Sequence, residues 1–210
     1  MTEIIPSINA ATFEEVQKKI ALVEEYVSWV HLDVTDGVFS RHPTWRDPSD
    51  LARLRTRRKA EVHLMVENPE RVIEQWFVEP VRRVIVHLEA AKNPEVVIQK
   101  CHEAGREIGF AIRPDTSWEI LKPWCGKVDM FVFLRVPPGA SGQEMLSERL
   151  EDIKHLRVAC PGCMIEVDGG INLETAARAR DAGANLLVAG AAIFSQPDIA
   201  QAISSLSLRF

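Results

Sequence analysis

Residues 29–37, Trp-Val-His-Leu-Asp-Val-Thr-Asp-Gly, decide how the rest of the chain is read. Trp29 to Val34 is rich in β-branched and aromatic side chains and breaks at Gly37, as a strand running into a turn does. Side chains alternate along a strand, so His31 and Asp33 share one face while Val30, Leu32 and Val34 share the other. An imidazole and a carboxylate two residues apart converge as two metal ligands would. They equally suit a strand end whose polar groups hydrogen-bond into a loop. Distant segments tip the balance, because two more strands end in residues of the same kind, His63 and Asp168.

Outward from this strand, short apolar runs keep alternating with amphipathic stretches. Ile4-Ile5-Pro6-Ser7 is a short strand ending in a hydroxyl. Thr12-x-x-Glu15 is a capping box, followed by Phe13, Val16, Ile20 and Val23 at helical spacing. Further strands are expected over 60–65, 84–88, 108–112, 130–136, 164–167 and 186–189. Helices are expected near 48–57, after Asn68-Pro69 with Val72, Ile73, Trp76 and Phe77 as the apolar stripe, and from Asn93-Pro94 to Gly105. Others start near Ser117, run through Leu146, Leu150, Ile153 and Leu156, cover 172–182, and carry Ile199, Ala202, Ile203 and Leu206. Eight strands alternating with eight helical segments require parallel pairing and right-handed crossovers. The 210 residues leave about 26 per strand-helix unit, compact but adequate for a single-domain (β/α)8 TIM barrel over 1–210. An open doubly wound sheet is the alternative, weakened because no Gly-rich dinucleotide loop follows the first strand.

The composition is 46% hydrophobic and 26% charged, that of an ordinary globular chain, and a net charge of −5 gives no electrostatic reason to expect nucleic acid. The basic cluster Arg53, Arg55, Arg57, Arg58 and Lys59 reads as a solvated helix end. No apolar run approaches the roughly 18 residues of a membrane span. The N-terminus lacks the basic and apolar regions of a signal peptide, so a cytoplasmic chain is expected. Cys160-Pro-Gly-Cys163 has the spacing of a redox pair or half a zinc site. No second pair completes a zinc site, and this pair precedes a strand, so reduced thiols in a turn are expected.

Barrel sites lie where strands end. The polar residues expected there are Ser7, His31 with Asp33 and Asp36, His63, His87 with Glu89, and Asp168. His31, Asp33, His63 and Asp168 fit one divalent metal: zinc, iron(II), manganese or cobalt. The alternative, a hydrogen-bonded polar core, asks four ligand-type residues to coincide at equivalent strand positions. A phosphate site is the second feature. Gly169 and Gly170 follow strand seven, and Gly190 and Ala191 follow strand eight, where backbone N–H groups of this fold usually cradle phosphate. Pro137-Pro138-Gly139-Ala140-Ser141-Gly142-Gln143 reads as a mobile lid.

These stretches resemble ribulose-phosphate 3-epimerase and its relatives that epimerise other ketose phosphates, almost end to end. The likeness runs through Pro6-Ser7, His31-Leu-Asp33-Val-Thr-Asp36-Gly37, His63-Leu-Met65-Val66 and His87-Leu-Glu89-Ala90. It continues through Pro138-Gly139, Gly142-Gln143, Glu166-Val-Asp168-Gly169-Gly170-Ile171-Asn172 and Val188-Ala-Gly190-Ala-Ala-Ile193-Phe194. The resemblance implies one divalent metal on His31, Asp33, His63 and Asp168, with Asp33 and Asp168 as the two acid/base groups. It implies a sugar phosphate bound by Ser7, His63, Met65, Gly139, Gly142, Gly169, Gly170, Gly190 and Ala191, and a homo-oligomeric assembly. The reaction implied inverts C3 through a cis-enediolate, with one carboxyl removing a proton from one face and the other delivering one to the opposite face. Thr35 and Leu134 replace two methionines of the family's cap, and Ala191 replaces a common serine. Val38-Phe39-Ser40-Arg41-His42 and the lid also depart from its pattern. Allulose 6-phosphate is therefore an alternative substrate, and a non-catalytic sugar-phosphate-binding barrel an alternative role. An orotidine-phosphate type decarboxylase lacks support, since Asp33-Val-Thr-Asp36 has no lysine.

Overall fold

The computed structural model describes residues 2–139 and 142–207, with Ser147 and Glu148 described by their backbone only. Eight parallel strands close into a barrel in sequence order: β1 (Glu3–Ile8), β2 (Trp29–Thr35), β3 (Lys59–Met65), β4 (Val81–His87), β5 (Glu107–Ile112), β6 (Met130–Leu134), β7 (Met164–Asp168) and β8 (Leu186–Ala189). Closure comes from β1 pairing with β8 from Glu3 opposite Leu186 to Pro6 opposite Ala189. The open-sheet alternative is thereby excluded.

Strand parity divides the side chains into two populations. Outward residues such as Val30, Leu32, Val34, Val62 and Leu64 pack in one core with the helices, where α1 (Phe13–Val23) contributes Phe13, Val16, Ile20 and Val23. Burying each such side chain is worth roughly 1.5–3 kcal/mol. Inward, a smaller apolar cluster of Ile5, Ile85, Ala111, Met130, Val132, Leu186 and Val188 fills part of the barrel, with Trp29 against it. Polar side chains also point inward: Glu61, Arg83 and Glu166 lower in the barrel, and Asp33, His63 and Asp168 nearer the C-terminal ends of the strands.

The remaining helices are α2 (Pro94–Glu103), α3 (Glu151–Ala159), α4 (Leu173–Ala182), α5 (Ala191–Phe194) and α6 (Ile199–Ser207). Three expected helices are 3₁₀ turns instead. The segment after β2 is a single 3₁₀ helix, Pro48–Arg53, capped by the Asp47 side chain. The stretch expected to start at an Asn68 cap forms two short turns, Pro69–Arg71 and Ile73–Trp76. Asn68 is left-handed there, at φ 50°, and its side chain caps nothing. Trp118–Trp124 carries Pro123 inside it, which removes a backbone donor an α-helix would need. At Thr12 the capping box is offset by one residue: Glu15 N donates to Thr12 Oγ1, but the Glu15 carboxylate takes the N–H of Ala11.

The expectation of reduced thiols at Cys160 and Cys163 is also corrected, because the structure joins them as a disulfide. Cys163 N donates to Cys160 O, and this tight turn holds the two Cα atoms 5.5 Å apart, within disulfide reach. Cys101 and Cys125 are free. No helix among the described residues is long and apolar enough to cross a membrane.

Candidate active site

Register sets the site. Asp33 lies opposite His63 across β2 and β3, and Ser7 lies opposite His31 across β1 and β2. Asp168, the last residue of β7, comes round from the far side of the barrel. Four donor atoms meet at one point: His31 Nε2, Asp33 Oδ1, His63 Nδ1 and Asp168 Oδ2. His31 Nε2 is 3.4 Å from Asp33 and 3.8 Å from Asp168, and His63 Nδ1 is 3.8 Å from Asp33 and 3.3 Å from Asp168. All four lie within 4.8 Å of one another. Both nitrogens are buried with no hydrogen-bond partner. Leaving such atoms unpaired costs about 1–3 kcal/mol each, so the arrangement suits a ligand that they would coordinate. Two imidazoles and two carboxylates are the donor chemistry of a zinc, iron(II), manganese or cobalt site.

Electrostatics agrees with a dication. Burial alone would keep His31 neutral, but its contacts with Asp33 and Glu61 and the charge of Asp168 outweigh burial and set its pKa well above the usual value. The extra proton so favoured would sit where a cation would. Burial likewise opposes ionisation of Asp33, yet His31, His63 and the hydroxyl of Ser7 hold it below the ordinary carboxylate range. Ser7 Oγ donates to Asp33 Oδ2 at 2.7 Å. Beneath lie two more buried carboxyl groups, Glu61 and Glu166, and Arg83. Burial, followed by the charge of Glu61, raises the Glu166 pKa well above normal and favours its neutral form.

His63 is supported from behind by His87. Their Nε2 atoms are 3.0 Å apart and their rings stack at 5.0 Å. Burial pushes the His87 pKa down to about 4, so the ring is neutral and can accept the Nε2 proton of His63. His87 Nδ1 is 3.4 Å from Glu89. Glu89 is anchored by the backbone N–H of Arg113 and the hydroxyl of Thr116; against the cost of burial, His87 and these bonds bring its pKa to about 2. Asp36 lies outside this group: its carboxylate accepts the N–H groups of Val38, Phe39 and Glu67 and shapes the loop.

Above the donor set opens a cavity of about 300 Å³. Asp33 and Asp168 border it, as do Ser7, Met65, Gly139, Gly142, Gly169, Gly170, Gly190 and Ala191. His63 lies beneath and is fully buried. Leu134 borders the cavity, whereas Thr35 bonds instead to His42 O and Thr44. Gly170 has φ +67°, and a Cβ there would stand 2.4 Å from Met145 N, so only glycine fits. Gly190 caps α5, whose first N–H groups have no partner within the helix. The lid is latched from two sides: Ser40 Oγ donates to Pro138 O at 2.9 Å and Asn9 Nδ2 to Gly139 O at 3.1 Å. Its Ala140 and Ser141 lie outside the described residues. Reading strand ends missed Glu61, Arg83 and Glu166. Glu61 and Glu166 sit two positions before His63 and Asp168 on the same strand face, and that parity was the available signal.

The profile of the Ribulose-phosphate 3 epimerase family matches residues 3–194. The ribulose-phosphate 3-epimerase of Schizosaccharomyces pombe is 36% identical over 210 residues, covering 97% of this chain and 92% of that protein. The ribulose-phosphate 3-epimerase of Bacillus subtilis is 34% identical over 214 residues, 98% of each chain. Among solved structures, 3-hexulose-6-phosphate synthase superposes with a TM-score of 0.74 at 16% identity, covering 98% of both chains. Orotidine 5'-phosphate decarboxylase from Pyrococcus horikoshii OT3 gives 0.70 at 18% identity, covering 97% of this chain and 96% of that one. At such identities the structural likeness speaks for the fold alone.

Proposed function

The chain belongs to the ribulose-phosphate 3-epimerase family, and from that premise we propose that it inverts C3 of D-ribulose 5-phosphate to give D-xylulose 5-phosphate, with one divalent metal ion on His31, Asp33, His63 and Asp168. The observation that carries this reading is the convergence of four donor atoms from the neighbouring strands β2 and β3 and from β7 beneath one cavity. Asp33 and Asp168 both border that cavity and can act on opposite faces of a planar intermediate. One takes the C3 proton and the other, protonated, returns one; the roles exchange with the direction of reaction. Ser7 orients the Asp33 carboxylate through its hydrogen bond. The glycines after β7 and β8 bind the phosphate through backbone N–H groups, which orients the sugar without taking part in the chemistry. The lid residues exclude water. When bound, the metal ion supplies Lewis-acid stabilisation of the negative charge that develops on the sugar oxygens.

The test is NMR of ribulose 5-phosphate with the protein in D2O and added divalent metal. Deuterium enters C3 as xylulose 5-phosphate appears. Absence of exchange with every candidate metal would exclude this substrate. A second reading, epimerisation of another ketose phosphate such as allulose 6-phosphate, is favoured by the altered surfaces around the cavity, Ser40 and Ala191 among them. Comparing turnover on both sugars decides between the two.

A further inference from the structure

The two imidazoles of the donor set are supported differently. Behind His63 stands a second imidazole, but behind His31 stands a carboxylate: Glu61 Oε1 is 2.8 Å from His31 Nδ1. Glu61 is completely buried, and its other oxygen accepts Arg83 Nη1 at 2.6 Å. Arg83 is itself fixed, with Nε and Nη2 on Glu107 at 2.7 and 2.6 Å and its guanidinium 4.4 Å over the Trp29 ring. Glu61, Arg83, Glu107 and Trp29 all lie outside the cavity wall, so none is placed to touch substrate.

We infer that Glu61, braced by Arg83, is a positioning residue that keeps the His31 proton on Nδ1 and presents the Nε2 lone pair to the cation. The inference rests on the metal site proposed above and extends it to residues behind the ligands. A neutral imidazole has one donor and one acceptor nitrogen, and a carboxylate can only accept. A carboxylate at 2.8 Å from Nδ1 therefore assigns the proton to that nitrogen and frees the other. Glu166 Oε1 also approaches Nδ1, but at 3.7 Å, too far for the bond that Glu61 makes. Charge balance for Arg83 alone does not explain Glu61. Arg83 already pairs with Glu107, which is partly in solvent, whereas a fully buried carboxylate costs several kcal/mol to desolvate.

The test uses the full chain, stripped of metal and titrated with cobalt(II) in competition with a chromophoric chelator. Glu61→Gln keeps the shape but not the charge, and it weakens cobalt(II) binding about 10- to 100-fold. Glu107→Gln, which leaves the Arg83 Nη1 bond to Glu61 in place and does not touch His31, leaves the affinity unchanged. Proton–nitrogen NMR of the zinc-loaded protein shows the His31 Nδ1 proton strongly deshielded by its bond to a carboxylate in wild type and moved upfield in Glu61→Gln, whose neutral amide oxygen is a weaker acceptor. A merely structural role would lower the melting temperature without moving that resonance. If Glu61→Gln does not fold, Glu61→Asp, whose shorter side chain withdraws the carboxylate, is read in the same two assays with the same expectation. Unchanged affinity and an unmoved Nδ1 proton resonance in the Glu61 variant overturn this inference alone. Failure of wild type to take up cobalt(II) overturns the metal-site reading and this inference together.

Discussion

Asp33 and Asp168 are the same residue type in different surroundings. Asp33 accepts the Ser7 hydroxyl and faces His31 at 3.4 Å, whereas Asp168 sits nearer to His63, at 3.3 Å. Both border the cavity. Asp168→Asn preserves the shape of the side chain and leaves it unable to exchange a proton. Turnover is expected to fall on the order of 10²–10⁴-fold, with circular dichroism and thermal melting close to wild type. Near-normal turnover in that variant would remove Asp168 from the acid/base pair. Asp33, His63 and Asp168 could be read in advance because they lie at or near the ends of their strands on the inward parity, and His31 because it shares that face with Asp33. Glu61 and Arg83 share that parity and lie level with His31 on the neighbouring strands, below the strand ends, where a polar residue ordinarily faces water. Only closure of the sheet turns that face into an interior.

Among the elements, the turn between β7 and α4 is the least forgiving. Gly170→Ala places a methyl group 2.4 Å from a backbone nitrogen in a conformation that L side chains rarely adopt. A loss of about 1–3 kcal/mol in urea unfolding is expected from the strained backbone alone, with a raised KM for the sugar phosphate. A variant matching wild type in both would show that the Met145 segment yields freely. Strands were legible here because their apolar runs are short, β-branched and regularly spaced. Helices were less so. Val72, Ile73, Trp76 and Phe77 share one face at a period of 3.6 and spread round all faces at 3.0, so the pattern pointed to an α-helix that the chain does not form. Ile73 and Trp76 are buried as the pattern required, although the backbone is 3₁₀. The cysteine turn was legible as a turn. Whether its sulfurs join was not, since the C-x-x-C spacing serves thiols, disulfides and metal sites alike.

For the molecule as a whole, the outer core gives a reporter of global opening. Cys101 on α2 is fully buried, and burial, followed by the charge of Asp129, pushes its thiol up to about 12. In unreduced native protein, iodoacetamide is expected to label Cys125 while Cys101 reacts only as fast as the whole domain unfolds. Rapid labelling of Cys101 in folded protein would show instead that α2 opens by itself. The inner core obeys another logic. From Trp29 and Arg83 near the floor, through Glu61 and His31, to the carboxylates at the mouth, a column of mutually dependent charges runs along the axis. A library of variants should therefore divide sharply. Positions on the outer helices would tolerate solitary exchanges, whereas those along the axis would keep activity only as compensated pairs, so that the barrel's mouth and its base are bound to co-vary.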